Sequence, residues 1–444
     1  MTSAMKLKNI FLLAVMAYAC TVLQGQVQLP SLLSLEEALA IGVENNYQIK
    51  IIRQSEKIAN ANYHKGNAGY YPIIAVGADQ NNVLSNTDLT FLSGDELSVR
   101  GAVATTFGAN VALRWNLFDG NLKSTTFRKL GNEVQLSKAY TRAEAEILMA
   151  EIIKAYIALA LQNKLLDFTR ENIEISRARL QLAIDKQRIG SGSGASVLQS
   201  RLDFNNDSLI LVNQKLQVDV LRFQLLDFLQ IDTREAFSVD TSNVQLLTKN
   251  YDALREDVLS QNTDLLIARF AIGNAQEDVA SAKSLQYPGL FLNSGANFNW
   301  SRNPANFVIQ NVNYGPYLGL SANYILYDGN NIKRNIEVAK LQTETRKLEY
   351  ENAMLKNVIQ LNNLISQHES FKIQRLILED NIQISKENLD IAIEQYRLGA
   401  LTDVEFREIQ LKSIQSNFEL VQNQLQRNIL EADILRLTGN LITD

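Results

Sequence analysis

The chain has 444 residues, 46% of them hydrophobic, with a formal charge of −5, five prolines, two histidines and one cysteine; at face value that is length for two or three ordinary domains. A single cysteine excludes a disulfide framework or thiolate metal cluster, and two histidines leave almost no material for histidine-based zinc or triad chemistry. The acidic and basic residues are spread along the chain without the clustered cations that nucleic acid requires, and proline is scarce enough to permit very long helices.

Met1 to Gln26 reads as a secretory signal, with Lys6 and Lys8 before an apolar run from Ile10 to Ala19 and a small-x-small pattern at Ala17-Tyr18-Ala19. Cys20 follows directly, and its position leaves two readings open, lipidation or removal with the signal. No later stretch approaches the 18 or so consecutive apolar residues that a spanning helix needs. If the chain crosses a membrane, strands must do it.

The remaining chain reads as one unit written twice, residues 27–229 and 252–444, joined by a connector over 230–251. Trp115-Asn116-Leu117-Phe118-Asp119-Gly120-Asn121 recurs as Tyr324-Ile325-Leu326-Tyr327-Asp328-Gly329-Asn330, and Arg188-Ile189-Gly190 recurs as Arg397-Leu398-Gly399, both at an offset of 209. Asn46 and Tyr71-Pro72 map to Asn262 and Tyr287-Pro288 at an offset of 216. In chain order each copy predicts a helix (Leu35 to Gly69; Asp252 to Leu285), two strands, a long helix (Lys123 to Ile189; Ile332 to Leu398), a glycine break and a final helix (Val197 to Leu229; Val404 to Leu437). At 1.5 Å per residue the long helix spans roughly 100 Å and each shorter one about half that, so two short helices match one long one. Apolar rows at seven-residue spacing, Ile175, Leu182 and Ile189 with their counterparts Ile384, Ile391 and Leu398, predict side-by-side helix packing.

The strand signal is period-two alternation. Phe107, Ala109, Val111, Leu113, Trp115 and Leu117 alternate with Gly108, Asn110, Arg114 and Asn116; Leu290, Leu292, Ala296, Phe298 and Trp300 alternate with Asn293, Gly295, Asn297 and Asn299; and Leu318, Leu320, Ala322, Tyr324 and Leu326 alternate with Gly319, Ser321 and Asn323. A weaker run covers Ile73 to Val83, and Pro304 and Pro316 read as loop residues between two strands. One apolar and one polar face suits a membrane barrel, and it suits a half-buried soluble sheet equally. Four strands cannot close a barrel, and an open edge in lipid leaves backbone groups unsatisfied. Three copies supply twelve strands.

With these features in place, the chain resembles the TolC family of outer-membrane efflux and secretion channels. The resemblance rests on the duplication, the Tyr-Pro before the first strand of each half, the Phe-Asp-Gly and Tyr-Asp-Gly after the second, and Tyr396-Arg397-Leu398-Gly399 followed by Thr402-Asp403-Val404. It implies a mainly α fold in which a long antiparallel helical tunnel carries four transmembrane strands per chain, closed into a twelve-stranded barrel in a homotrimer. The implied partners are outer membrane lipid, a periplasmic adaptor and an inner-membrane pump, with no cofactor and no metal. For the periplasmic gate it implies Asp403, Glu405 and Tyr396. The first copy departs from that pattern, with Gln187 opposite Tyr396 and Ser196 opposite Asp403. An acidic residue at this place is equally readable as a helix cap. The tips Arg188, Gly190, Gly192, Gly194, Arg397 and Gly399 are the expected adaptor contacts. The glycine-rich Gly190 to Gly194 lacks the Gly-Lys-Ser/Thr of a phosphate loop and reads as a turn between helices, and the two arginines as caps for the carbonyls of helix ends.

No nucleophile, base and orienting group occur at informative spacing, so the expected function is a passive conduit from periplasm to outside rather than an enzyme. The alternative is a secreted or periplasmic helical scaffold without a channel. Cargo is not encoded in these motifs, because the implied pump would choose much of it.

Overall fold

The computed structural model describes residues 30–232, 237–240, 247, 249–305 and 308–442; the signal sequence, Cys20 and part of the connector lie outside them. Helices dominate. In chain order they are α1 (Leu35–Asn45), α2 (Tyr47–Asn62), α3 (Leu122–Arg188), α4 (Gly194–Leu229), α5 (Tyr251–Gln261), α6 (Thr263–Ser284), α7 (Asn331–Leu398) and α8 (Asp403–Leu437). The strands are β1 (Leu32–Leu33), β2 (Ile73–Thr90), β3 (Glu96–Phe118), β4 (Ser238–Val239), β5 (Gly289–Arg302) and β6 (Gln310–Asn323). α3 and α7 run 67 and 68 residues without a break, as the absence of proline permits.

The first helix of each copy is a pair rather than the single helix that composition suggests. Asn46 and Asn262 sit between the members with ψ of 127° and 124°, outside helical geometry. Each side chain makes the break useful. Asn46 Oδ1 accepts from the Gln48 N–H at 2.8 Å, capping α2 as asparagine does well, and its amide donates to the Phe228 carbonyl near the end of α4. Asn262 donates to the Leu437 carbonyl at 2.8 Å, at the end of α8. These are carbonyls that a helix end cannot satisfy itself. α2 also stops at Asn62, short of Gly69, whose φ of 82° closes the turn that follows.

The described chain forms two compact units. One comprises the described residues of 30–51, 144–262 and 357–442. Its main core joins Leu33, Ile49, Ile152, Tyr156, Leu159, Leu225 and Leu229, and β1 pairs there in parallel with β4. The Tyr156 hydroxyl pins both short strands, donating to the Leu33 carbonyl at 2.8 Å and accepting from the Asp240 N–H at 2.9 Å. A smaller cluster of Leu389, Ala392, Tyr396 and Phe406 lies near the turns between long and short helices, with Ile175 and Leu182 against it.

The other unit comprises residues 52–143 and 263–356 and carries an antiparallel sheet in the order β2-β3-β5-β6. Register separates a mainly apolar face from a mainly polar one. Ile74, Leu113 and Leu318 share one face with Val76, Val111, Phe107, Phe298 and Trp300; Asp79, Asn110, Arg114, Asn293, Asn297, Asn299 and Asn313 share the other. Glycines let the polar side chains lie flat: a Cβ on Gly77 would meet Asn110 Oδ1 at 2.6 Å, and one on Gly108 would meet Asp79 Oδ1 at 2.5 Å.

Three strands differ in extent from the alternation. β2 and β3 are far longer than the predicted runs, and β3 N-terminal to Thr105 pairs with β2 alone. β6 ends at Asn323 rather than Leu326, opposite Gly289; Pro288 has no N–H with which to extend the ladder. Pro316, expected in a loop, lies inside β6 opposite Ala296, an edge-strand position that tolerates proline.

Candidate gate at the helix turns

Two glycine turns, α3 to α4 and α7 to α8, bring the expected residues together. Gly190 and Gly399 take φ of 80° and 81°, a left-handed conformation that glycine adopts without penalty. Each closes its helix with paired bonds: the N–H groups of Gly190 and Ser191 reach the Gln187 and Lys186 carbonyls at 3.0 and 2.9 Å, and those of Gly399 and Ala400 reach Tyr396 and Gln395 at 3.2 and 2.8 Å. Gly192 leaves room where a Cβ would stand 3.0 Å from the Gln187 nitrogen, and Gly194 opens α4 behind the Ser193 cap.

Arg188 and Arg397 do not cap carbonyls. They pair along their own helices with Asp185 at 2.9 Å and Glu394 at 3.2 Å, in solvent. The capping cation is Lys186 instead, whose ammonium donates to the Tyr396 carbonyl at 3.2 Å and lies 4.8 Å from the centre of that ring.

The three expected gate residues fall into two roles. Glu405 is exposed and closes a capping box, accepting from the Thr402 N–H and hydroxyl at 2.9 and 2.7 Å. Those bonds hold its carboxyl below the usual range. Asp403 instead accepts from the hydroxyls of Tyr396 and Ser196. Ser196 is the first-copy counterpart of Asp403, so the two copies meet at one hydrogen bond. Tyr396 is buried and packs 4.9 Å from Phe406. Burial, and then the Asp403 carboxylate, push its phenol above the ordinary tyrosine range.

Three turns along α4 lies a second group that motif reading does not find. Arg407 clamps Asp207 with two bonds, 2.7 and 2.8 Å, Ser176 donates to the same carboxylate, and Gln410 donates to the Ser176 hydroxyl at 2.9 Å. Arg179 pairs with Asp203 beneath it. Asp207, Ser176, Gln410 and Arg179 are all buried. The sequence signal is present in hindsight: Ser200, Asp203 and Asp207, like Phe406, Gln410 and Ser413, occupy spacings where a helix core wants apolar residues. Among the described residues no group of three or more His, Cys, Asp or Glu could hold a metal ion, and no helix is long and apolar enough to cross a membrane.

The profile of the family described as outer membrane efflux protein matches residues 41–227 and again 254–440. The chain belongs to the outer membrane efflux protein family. Membership makes it an outer-membrane component of efflux systems, reaching into the periplasm, and not an enzyme; the scaffold alternative falls. Among curated relatives, the probable efflux pump outer membrane protein TtgC of Pseudomonas putida is 20% identical over 416 residues, covering 91% of this chain and 83% of TtgC. Among solved structures, CusC superposes with a TM-score of 0.75 at 14% identity, covering 91% of this chain and 92% of CusC. The Campylobacter jejuni channel CmeC gives 0.72 at 14% identity, covering 91% and 85%. The efflux protein therefore has the TolC-like fold that its repeated motifs suggest.

Proposed function

We propose that this efflux protein is a passive channel subunit, three copies of which close a twelve-stranded barrel continued by a helical tunnel, docked to a periplasmic adaptor and an inner-membrane pump. The sheet carries this reading: its edges β2 and β6 are open, one face is apolar, and the other is lined with amides. In lipid, such edges must be paired by further strands.

The repeat supports assembly by copies of the same chain. Rows that are equivalent in the two copies have opposite fates. Ile175 and Leu182 of α3 pack inside the chain, whereas their counterparts Ile384 and Ile391 of α7 are exposed. On α4, Leu216 and Phe223 are exposed, whereas their counterparts on α8 in the register that pairs Ser196 with Asp403, Asn423 and Leu430, are buried. A ring of copies in which the open α4 row of one chain meets the open α7 row of the next covers both. The interface is heterologous, and it closes only with the right rotation.

At the entrance, Asp403 is the gate carboxylate rather than Glu405, whose oxygen is committed to the Thr402 cap. Tyr396 and Ser196 hold it between the two hairpins, and Lys186 in turn holds Tyr396. Three copies place three carboxylates around one axis, attracting cations and disfavouring anions. Arg188, Gly190, Gly192, Gly194, Arg397 and Gly399 form the adaptor-contact tips. In planar bilayers the protein should open cation-selective channels, and Asp403→Ala should raise conductance and reduce cation preference. Channels with unchanged selectivity in that variant would remove Asp403 from the constriction.

A further inference from the structure

Within the unit that carries the sheet, four helix ends meet four strand ends: α2 with β2, α3 with β3, α6 with β5 and α7 with β6. Contacts hold this layer together. The Trp115 indole donates to the Tyr70 carbonyl at 2.9 Å, Lys123 donates to the Asn116 and Leu117 carbonyls at 2.7 and 3.2 Å, and Tyr63 stacks on Phe127 at 4.6 Å. A Cβ on Gly120 would approach the Ser284 carbonyl to 2.4 Å, so the turn after β3 abuts the end of α6.

Two kinds of exposed side chain crowd this layer. Tyr71, Tyr287, Tyr324 and Tyr327 present their rings. Lys65, Lys283, Lys333 and Arg334 present cations, and none of the four has a carboxylate partner among the described residues; Arg334 reaches only the Asn331 side-chain oxygen, at 2.5 Å. The nearby acids are engaged. Asn116 donates to Asp119 at 3.0 Å, Asp328 accepts from the N–H groups of Asn331 and Ile332 at 3.0 and 2.7 Å, and Glu277 and Asp278 pair with Arg128 and Lys129. The exposed Glu337 lies one turn further along α7.

We propose that this collar of unpaired cations and tyrosines binds the phosphate groups of anionic phospholipid in the periplasmic leaflet of the outer membrane. The collar borders the apolar face of the sheet, where interfacial tyrosines sit at headgroup level. Cations at that level attract anionic lipid within a Debye length of the surface. The proposal rests on the sheet spanning the bilayer, so the test reads insertion separately.

The full protein is reconstituted in phosphatidylethanolamine bilayers, and association of spin-labelled phosphatidylglycerol is compared with that of spin-labelled phosphatidylcholine. Insertion is followed independently by quenching of tryptophan fluorescence with brominated lipid. Wild type should favour phosphatidylglycerol several-fold, and the quadruple variant Lys65→Gln, Lys283→Gln, Lys333→Gln, Arg334→Gln should insert equally well with a ratio near one. Equal association of both lipids with wild type, or an undiminished preference in the inserted variant, would overturn the proposal. A preference confined to lipid A would overturn it as well, by giving the collar to lipopolysaccharide. Failure of wild type to insert would instead contradict the membrane-spanning sheet.

Discussion

The Tyr396 hydroxyl keeps its proton for two reasons, burial first and the Asp403 carboxylate second. Because its folded pKa lies above the unfolded value near 10, the stability it contributes is complete below about pH 10. That contribution is lost as pH rises through the higher folded value. Wild type should therefore lose thermal stability above about pH 10 relative to Tyr396→Phe, which has no phenol to ionise. Parallel melting curves for the two proteins across that range would show that the phenol is not held by Asp403. At this scale the legibility of the site is mixed. Both turn glycines are visible as a repeated motif, and Tyr396 and Asp403 through the family resemblance of the second copy alone, because glycine and the Tyr-x-x-Gly spacing stand out without any knowledge of packing. The bond from Ser196 to Asp403 is not visible, since its partners are more than 200 positions apart and the serine marks only where the first copy lacks an acid. Glu405 is legible in one further respect: Thr402 followed three residues later by glutamate is a capping box.

Elements show the same division. Scarce proline correctly predicts α3 and α7 as unbroken helices, and alternation correctly finds the pairing cores of β3, β5 and β6. Helix breaks at Asn46 and Asn262 escape because asparagine is only mildly unfavourable inside a helix, and what ends the helix is a distant carbonyl that each side chain serves. The end of β6 escapes because Tyr324 and Leu326 continue the apolar pattern after the partner strand has stopped at Gly289. Among helices, one contact with much energy at stake is Arg407 on Asp207, whose side chains are only 14% and 5% exposed. Removing one member strands a buried charge, so Asp207→Ala should cost on the order of 3–5 kcal/mol. Replacing both, with Asp207→Leu and Arg407→Met, should restore most of that in chemical denaturation. If the double variant is as unstable as the sum of the single ones, the two residues act independently and do not join α4 to α8.

For the whole molecule, one observation organises the rest: the α3 residues Ile175 and Leu182 are packed inside the chain while their α7 counterparts Ile384 and Ile391 are left open. The chain offers two sheet edges and two apolar helix rows, and the proposed ring of three would close all of them at once, with twelve strands in the barrel. Composition first suggests two or three globular domains for 444 residues; in the proposed channel the duplication and the strand count replace that with a subunit that is incomplete alone. The number of copies is legible from the sheet only through this closure argument, because nothing in a single chain encodes the rotation between neighbours. The direct test is native mass spectrometry of the protein released from bilayers, with each chain weighing at most 49.8 kDa. The account predicts an assembly of three chains that persists on dilution, and a monomer, or any assembly other than three, would contradict it.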